Sequence, residues 1–248
     1  MNTKPISRFE MMCGQLCCRK DDALSRFVVS DSAIEALKWA GLVFMTLDHV
    51  NRYVFQGGMT GLFEAGRLAF PLFGFVLAYN LARPGASARG VYGRTIVRLF
   101  VYGVIASPVT AALRGQLSAW WPLNVLFTLL AFVAVVYLSE QRGKSGLVAA
   151  AAVFVAGGFL VDYLWIGIAY CLTTYWFCKS PSKTRLALWM IVCVLLYVIN
   201  HNYWGLAAIP LIALAPMMDF KVPRFKHVFY VYYPFHLVVI WMVVIFMK

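Results

Sequence analysis

Long runs of apolar residues, separated by charged residues or by Pro and Gly, follow one another along the chain after Ser30. A hydrocarbon core of about 30 Å requires roughly 20 apolar residues per helical crossing. The alternation of apolar and polar positions that marks a strand is absent, so the pattern predicts helices. The predicted crossings are Glu35–Phe55, Leu62–Ala82, Thr95–Leu113, Trp121–Leu138, Gly146–Val161, Tyr163–Cys178, Leu186–Asn200, Tyr203–Met218 and Val228–Met247.

The pattern therefore predicts an all-α, polytopic transmembrane helical bundle of about nine spans. The fifth and sixth runs are short. We expect them either to form a tight hairpin that turns at Asp162 or to include a re-entrant piece, which would change the span count and the side of the C-terminus. Residues 34–248 are predicted to form one membrane-embedded domain. Residues 1–33 lack the apolar core of a cleavable signal peptide and are predicted to form an N-terminal tail.

Lys and Arg accumulate in alternate loops of this predicted bundle. Because cytoplasmic loops are enriched in these residues, the basic loops and the N-terminal tail are predicted to face the cytoplasm, with Lys248 outside. The basic loops contain Arg83, Arg89 and Arg94; Arg142 and Lys144; Lys179, Lys183 and Arg185; and Lys221, Arg224 and Lys226.

Composition excludes a soluble domain, since 62% of the residues are hydrophobic and 13% are charged, with a mean hydropathy of +0.75. The basic loops and tail account for most of the formal charge of +12. The aromatic residues lie within the predicted spans or at their ends, as in a membrane-interface belt, and not among basic residues on a soluble surface. We therefore expect contact with membrane lipid and no binding of nucleic acid.

The cysteines predict no metal site. Cys13, Cys17 and Cys18 form a C-x-x-x-C-C cluster in the tail, and such a cluster can bind zinc. No histidine lies near it, however, and three thiols in a tail placed in the reducing cytoplasm are more often free thiols. We assign no metal to this chain.

Ionisable residues within the predicted spans carry the functional signal, because each costs about 2.5 to 3.5 kcal/mol at a helix centre. The first span ends with Asp48, His49 and Arg52, and the second begins with Glu64 and Arg67. Two antiparallel helices joined by a short loop bring these levels together. We therefore expect these residues to share one outward-facing cavity.

Two further ionisable residues lie within or beside the predicted spans. Asp162 lies in a non-basic loop, which places it on the same side of the membrane as the cavity, and His236 lies near mid-depth in the last span. A purely structural alternative stays open for the first group. Asp48 and Arg52 are four residues apart and Glu64 and Arg67 are three apart, so each pair could be an ion pair within one helix.

Five strings in the chain stand out together. They are K-W-A-G-L-V-F-M-T-L-D-H-V-N-R at Lys38–Arg52, G-R-L-A-F-P-L-F at Gly66–Phe73, L-N-V-L-F-T at Leu123–Thr128, D-Y-x-x-x-G at Asp162–Gly167 and Y-P-F-H-L at Tyr233–Leu237. With these strings the chain resembles the TraX family of conjugative-plasmid membrane proteins. The resemblance covers the chain from about Ile34 to its C-terminus.

The resemblance implies an acetyltransferase of the bacterial inner membrane. Its implied reaction transfers acetyl from acetyl-CoA to the N-terminal amine of conjugative pilin. A histidine late in the first span, followed by an arginine and an F-P-L-F run in the second, is also similar to the acyltransferase-3 group of membrane O-acyltransferases. In that group a histidine is the catalytic base, and by analogy this role falls on His49.

The remaining roles are our own hypothesis. His49 would take a proton from the amine, and Arg67 would stabilise the oxyanion that develops. Asp48 would either orient the imidazole or neutralise the arginine. Arg52, Glu64, Asp162 and His236 are candidate supporting residues. A covalent acyl-histidine intermediate fits the same residues equally well.

Other functions stay open at the level of sequence. The acceptor could be a hydroxyl of a cell-envelope glycan. A proton-coupled transporter would also place ionisable residues in the membrane, but the inverted repeats typical of transporters are not apparent. A non-enzymatic protein of pilin assembly or transport would need no pairing of His49 with Arg67.

Overall fold

The computed structural model describes residues 27–115, 120–141, 143–217, 222, 225 and 228–247. Within these ranges the chain is helical and contains no β-strand, which confirms the predicted all-α fold. The cysteine cluster of the tail lies outside the described residues. The α-helices are α1 Asp31–Tyr53, α2 Thr60–Gly66, α3 Ala69–Ala82, α4 Val91–Leu113, α5 Val125–Ser139, α6 Lys144–Leu160, α7 Leu164–Lys179, α8 Lys183–Leu195, α9 Tyr197–Asn200, α10 Ala208–Leu214 and α11 Val228–Phe246.

The helices have the length and composition of a membrane bundle. Four helical segments of the described chain are long and apolar enough to cross a bilayer: α2 with α3, α4, α8 with α9, and α11. Shorter apolar helices are α5, α6 and the segment Trp204–Met217. The transmembrane helical class is confirmed, whereas the count of nine crossings and the orientation stay predictions.

Side-chain caps fix where several helices begin. Ser30 Oγ accepts a hydrogen bond from Ala33 N at 3.1 Å, and Asp31 follows in the first turn of α1. Asn124 Oδ1 accepts from Leu126 N at 3.1 Å at the start of α5. Each cap satisfies a backbone N–H that has no partner within the helix.

Prolines interrupt two of the predicted continuous spans. The predicted second span, Leu62–Ala82, is divided into α2 and α3 by a break at Arg67 and Leu68. Pro71 lies in the first turn of α3, and its ring is incompatible with a regular helix that continues back to residue 67. Pro210 likewise lies in the first turn of α10 and interrupts the predicted eighth span. The helix α10 follows the 3₁₀ turn Trp204–Ala207.

The core lies between α3, α5 and α7. Its largest buried side chains include Leu72 and Phe75 of α3, Phe132 of α5 and Tyr170 of α7. Tyr170 Oη donates to the carbonyl of Pro71 at 3.0 Å, which joins α7 to the beginning of α3. By contrast, α6 exposes apolar side chains along one face, as expected for a helix in contact with lipid.

The antiparallel arrangement gives the bundle two ends with different polar groups. The end of α1 that carries His49 adjoins the start of α3 and the connection between α6 and α7; we call it the His49 end. The opposite end carries Glu140, directly after α5, and the last turn of α7; we call it the Glu140 end.

Candidate functional site

Two histidines from opposite parts of the chain meet between α1 and α11. His49 Nδ1 lies 2.7 Å from His236 Nε2. The two rings are stacked, with centroids 5.0 Å apart and an interplanar angle of 19°. His236 Nδ1 in turn lies 2.9 Å from the carbonyl oxygen of Tyr232, one helical turn earlier. His236 is buried, and His49 is half-buried.

Tyrosines surround the histidine pair. The ring centroids of Tyr53 and Tyr233 lie 6.0 Å and 6.3 Å from that of His49. Tyr232 stacks on His236, and its hydroxyl is hydrogen-bonded to Thr46 Oγ1 at 2.9 Å. These contacts hold α11 against α1 at the level of the two imidazoles.

An ion pair between Asp48 and Arg67 lies beside the histidines. Both side chains are largely buried, with 17% and 15% of their surface exposed. Gly66 makes the close approach of α2 to α1 possible, because a Cβ at this position would stand 2.5 Å from the Cβ of Asp48. The guanidinium of Arg67 also lies over Phe63, 4.6 Å from the ring centroid.

Although Arg67 is paired with Asp48, one of its N–H groups forms no hydrogen bond with a described residue. Its Nη1 lies 3.5 Å from Asn200 Oδ1, which is a long contact for a hydrogen bond. Its Nε is buried, and no described residue accepts a hydrogen bond from it. A buried N–H without an acceptor is costly, so this donor is a candidate to meet a group of the substrate.

The geometry corrects the structural alternative for Asp48, Arg52, Glu64 and Arg67. Asp48 and Arg67 pair across two helices, and neither of the predicted pairs within one helix is present among the described residues. Arg52 is exposed, and its guanidinium lies 5.6 Å from the ring centroid of Tyr53. Glu64 has no ion-pair partner in the described part of the chain.

Asp48 was expected either to orient the imidazole of His49 or to neutralise Arg67, and the structure shows the second arrangement. The Asp48 carboxylate binds Arg67, which matches its expected role of neutralising the arginine. The imidazole of His49 is instead hydrogen-bonded to His236. Adjacent helix positions point about 100° apart, so Asp48 and His49 contact different neighbours.

A second ion pair stabilises the same end of the bundle. Arg114 Nη2 lies 2.8 Å and 3.0 Å from the two carboxylate oxygens of Asp162. Arg114 Nη1 donates to the carbonyl of Pro122 at 2.5 Å. Burial raises the pKa of the Asp162 carboxyl, and the nearby Arg114 opposes this effect. Asp162 thus lies in the turn between α6 and α7, as the hairpin alternative predicted.

Backbone hydrogen bonds fix the position of this second pair. Leu123 N donates to Leu160 O at 2.8 Å, and Asp162 N donates to Leu123 O at 3.0 Å. The loop before α5 is thereby joined to the loop after α6. Tyr163 follows directly and stacks on Phe70 of α3, with ring centroids 3.8 Å apart.

Arg114 and the tyrosines were missed as site residues in the sequence. Arg114 lies between the third and fourth predicted crossings, in a loop predicted to be outside, where an arginine departs from the positive-inside pattern. Arg52, Arg67 and Arg114 all lie close enough to His49 to interact with it electrostatically. The unusual location of these cations was the available signal. For the tyrosines, aromatic residues at span ends gave no such signal.

The described residues contain no group of three or more His, Cys, Asp or Glu side chains arranged to hold a metal ion. Cys171, Cys178 and Cys193 are free thiols within the helices.

Comparisons with known proteins identify the family. A family model described as "TraX protein" matches residues 33–244. Protein TraX of Escherichia coli is 36% identical over 139 residues, which are 56% of this chain and 52% of that protein. Protein TraX of Escherichia coli strain K12 is 31% identical over 143 residues, again 56% of this chain and 52% of the relative. The match thus spans about half the length of these curated relatives, and no solved structure matches. The chain belongs to the TraX family.

Proposed function

We propose that this chain is an acetyltransferase of the bacterial inner membrane that transfers acetyl from acetyl-CoA to the N-terminal amine of conjugative pilin. Membership of the TraX family supports the proposal. The observation that carries it is the cluster at the His49 end, where a half-buried imidazole, bonded to a second histidine, lies beside the Asp48–Arg67 ion pair. Such a cluster offers a base and an anion-stabilising donor in one place.

His49 is the proposed base. An α-amino group with a free pKa of about 7.7 to 8.0 is largely protonated at neutral pH and cannot attack a carbonyl until it loses a proton. No described residue forms a hydrogen bond with His49 Nε2, so this atom is free to take that proton. The amine nitrogen then forms a bond to the thioester carbon, the carbon–sulfur bond breaks, and the nitrogen releases its second proton to solvent, which leaves a neutral amide. The departing thiolate receives a proton from the imidazolium.

Arg67 is the proposed donor to the oxyanion. Negative charge develops on the carbonyl oxygen of the thioester as the nitrogen attacks, and a preorganised cationic donor lowers the energy of this state. Asp48 holds the guanidinium in place through one edge and leaves Nε uncommitted. Because the pair is neutral overall, the arginine remains in the apolar surroundings without a net buried charge.

Arginines of the opposite end suit the phosphates of the donor. Arg89 and Arg94 are exposed, and neither forms an ion pair with any described residue. The positive-inside rule accounts for arginines in this loop without a ligand, so they support the proposal less than the His49 cluster does.

The direct test is the mass of mature pilin. Pilin from cells that express this protein should be heavier by one acetyl group at its N-terminus than pilin from cells that lack it. Cells that express the His49→Gln variant at the same membrane level should yield unmodified pilin. The control is His201→Asn. His201 is exposed and has a left-handed backbone, which Asn tolerates, so pilin should remain acetylated.

The same experiment separates the alternative functions. Labelled acetate that appears on an envelope glycan and not on pilin would favour an O-acetyltransferase. Unmodified pilin in the presence of the wild-type protein, together with a defect in pilus assembly when it is absent, would favour a non-enzymatic role. Either outcome would contradict the proposal.

A further inference from the structure

We infer that His236 is a positioning residue that fixes His49 in the tautomer with a protonated Nδ1 and a free Nε2. The inference rests on the proposed function for its catalytic meaning, although the tautomer itself is a property of the protein that can be measured without any substrate. It follows from the two hydrogen bonds that His236 forms.

The first hydrogen bond determines the tautomer of His236. Its Nδ1 lies 2.9 Å from the carbonyl oxygen of Tyr232. A carbonyl oxygen can only accept, so Nδ1 of His236 carries a proton. In a neutral imidazole the other nitrogen then has a lone pair, and Nε2 of His236 is an acceptor.

The second hydrogen bond determines which ring nitrogen of His49 carries the proton. His236 Nε2 lies 2.7 Å from His49 Nδ1. Because His236 Nε2 accepts, His49 Nδ1 donates and must carry the proton. The lone pair of neutral His49 is thereby on Nε2, the atom that forms no hydrogen bond with a described residue. A backbone carbonyl of α11 thus selects the reactive nitrogen on α1 through two imidazoles.

This arrangement differs from a histidine oriented by a carboxylate, because it ends on an uncharged group. Asp48 is adjacent to His49 in sequence but is bound to Arg67, so it is not the orienting group. When His49 Nε2 takes the proton of the substrate amine, the N–H bond of the ammonium breaks and an Nε2–H bond forms. Nδ1 keeps its own proton and its hydrogen bond to His236, which stabilises the imidazolium without movement of either ring.

The position of His236 agrees with a supporting rather than a reacting role. Only 4% of its surface is exposed, and both ring nitrogens are occupied by contacts within the protein. Tyr232 and Tyr233 pack against its ring. His49 is half-buried and is therefore the more exposed member of the pair.

The tautomer can be measured directly by nitrogen NMR of the full chain, labelled with ¹⁵N-histidine and reconstituted in lipid. The signals of His49 are assigned from their loss in His49→Gln. In the wild type, His49 should be protonated at Nδ1 and unprotonated at Nε2. In His236→Leu, which removes the acceptor, this preference should be lost, and the more common Nε2-protonated form should appear. An unchanged His49 tautomer in His236→Leu would overturn the inference.

Kinetics of acetyl transfer separate positioning from folding. His236→Leu should lower kcat by about 100-fold or more with little change in KM, as expected when a base is held in the wrong tautomer. His236→Gln should retain much of the activity, because its amide oxygen can reach a similar position and accept from His49 Nδ1. Leu237→Ala is the packing control. Leu237 is a buried neighbour on the same helix, and its truncation should leave the tautomer unchanged.

Equal loss of kcat in His236→Gln and His236→Leu, at wild-type membrane level, would also overturn the inference. Failure of the proposed function looks different. If the wild-type protein transfers no acetyl to any acceptor, the kinetic test has no signal, while the NMR measurement still shows whether His236 sets the tautomer of His49.

Discussion

Both ends of the bundle carry a cluster of charged and polar groups, and the cluster around Glu140 is the one whose members are hydrogen-bonded to each other. There, Glu140 Oε1 accepts hydrogen bonds from Tyr175 Oη and Lys179 Nζ, each at 2.6 Å. Lys179 also donates to Tyr175 at 2.8 Å, and the Tyr92 hydroxyl bonds to the carbonyl of Leu81 at 3.2 Å. Every group in this network has a partner within the protein.

At the His49 end, similar groups leave part of their capacity unused. Arg67 Nε has no acceptor, His49 Nε2 forms no hydrogen bond, and Glu64 has no ion-pair partner among the described residues. A polar network whose members are all satisfied gains rigidity, whereas a buried donor without an acceptor costs free energy. The comparison suggests that the Glu140 end stabilises the fold and that the His49 end is arranged for a ligand.

Reporter fusions give the sharpest separation of the two ends. From the distribution of basic loops, fusions at Ala86, Gly143 and Ser182 should report a cytoplasmic location, since these loops belong to the Glu140 end. A fusion at Gly58, at the His49 end, and one at the C-terminus should report the outside. A cytoplasmic C-terminus would contradict nine crossings, and a cytoplasmic Gly58 would place the candidate site on the wrong side for a mature pilin.

Replacement of His49 should have the largest effect on activity. His49→Ala should abolish acetylation, and His49→Gln is the sharper variant, because glutamine keeps hydrogen-bonding capacity and approximate size but cannot accept a proton at neutral pH. Acetylated pilin is measured by mass spectrometry at equal membrane levels of protein. Undiminished acetylation in His49→Gln would exclude a base or a nucleophile at this position. Loss of both variants from the membrane would indicate a structural role.

Arg67 should show an intermediate effect. Arg67→Lys keeps the positive charge but loses the planar guanidinium, and with it the simultaneous contact with Asp48 and a free Nε–H. The rate of acetyl transfer should fall by at least about tenfold while the protein still inserts. Arg83→Lys, at the Glu140 end, is the matched control and should retain activity. Full activity of Arg67→Ala at a normal protein level would remove Arg67 from the mechanism.

The pair of Arg114 and Asp162 should affect stability more than chemistry. Arg114→Gln leaves a half-buried carboxylate without its partner, so the free energy of unfolding should fall by about 1 to 3 kcal/mol. Asp162→Asn in the same chain should recover part of this loss, because the unpaired charge is removed. Thermal denaturation in detergent measures both effects. Arg89→Gln, which changes an exposed arginine that forms no ion pair with a described residue, should leave stability unchanged.

The fold was largely predictable, because crossing a membrane imposes a length and an apolar character that are visible in the sequence. The breaks were not predicted. The ring of Pro71 prevents a regular helix from continuing back to residue 67, four positions earlier. Pro71 lies within an apolar run, so the hydropathy of the second span does not show this break.

The site was predictable in its composition but not in its pairs. The similar depth of His49, Asp48 and Arg67 in the membrane was predicted from their distance along each helix to the connecting loop. Their partners depend on how each helix is rotated about its axis, which spacing along one helix cannot provide. The contact between His49 and His236 joins residues 187 positions apart, and the ion pair of Asp48 with Arg67 joins two different helices.

Glu140 offers the smallest expected effect, and one with a defined pH dependence. Burial disfavours its ionised form, but the hydrogen bonds from Lys179 and Tyr175 outweigh burial and lower its pKa below the ordinary value of 4.5. A carboxyl whose pKa is lowered by folding contributes stability above its unfolded pKa and loses that contribution as the pH falls through the folded value.

Glu140→Gln should therefore lower the free energy of unfolding at neutral pH by about 1 kcal/mol. The difference from the wild type should shrink as the pH is lowered below about 4.5, because only the wild type loses this contribution. Glu64→Gln is the matched control. It makes the same chemical change at a carboxylate that has no ion-pair partner among the described residues, and it should show no such pH-dependent difference. Acetyl transfer by Glu140→Gln should stay at the wild-type rate, and a large loss of activity would mean that the two ends do not divide stability from chemistry.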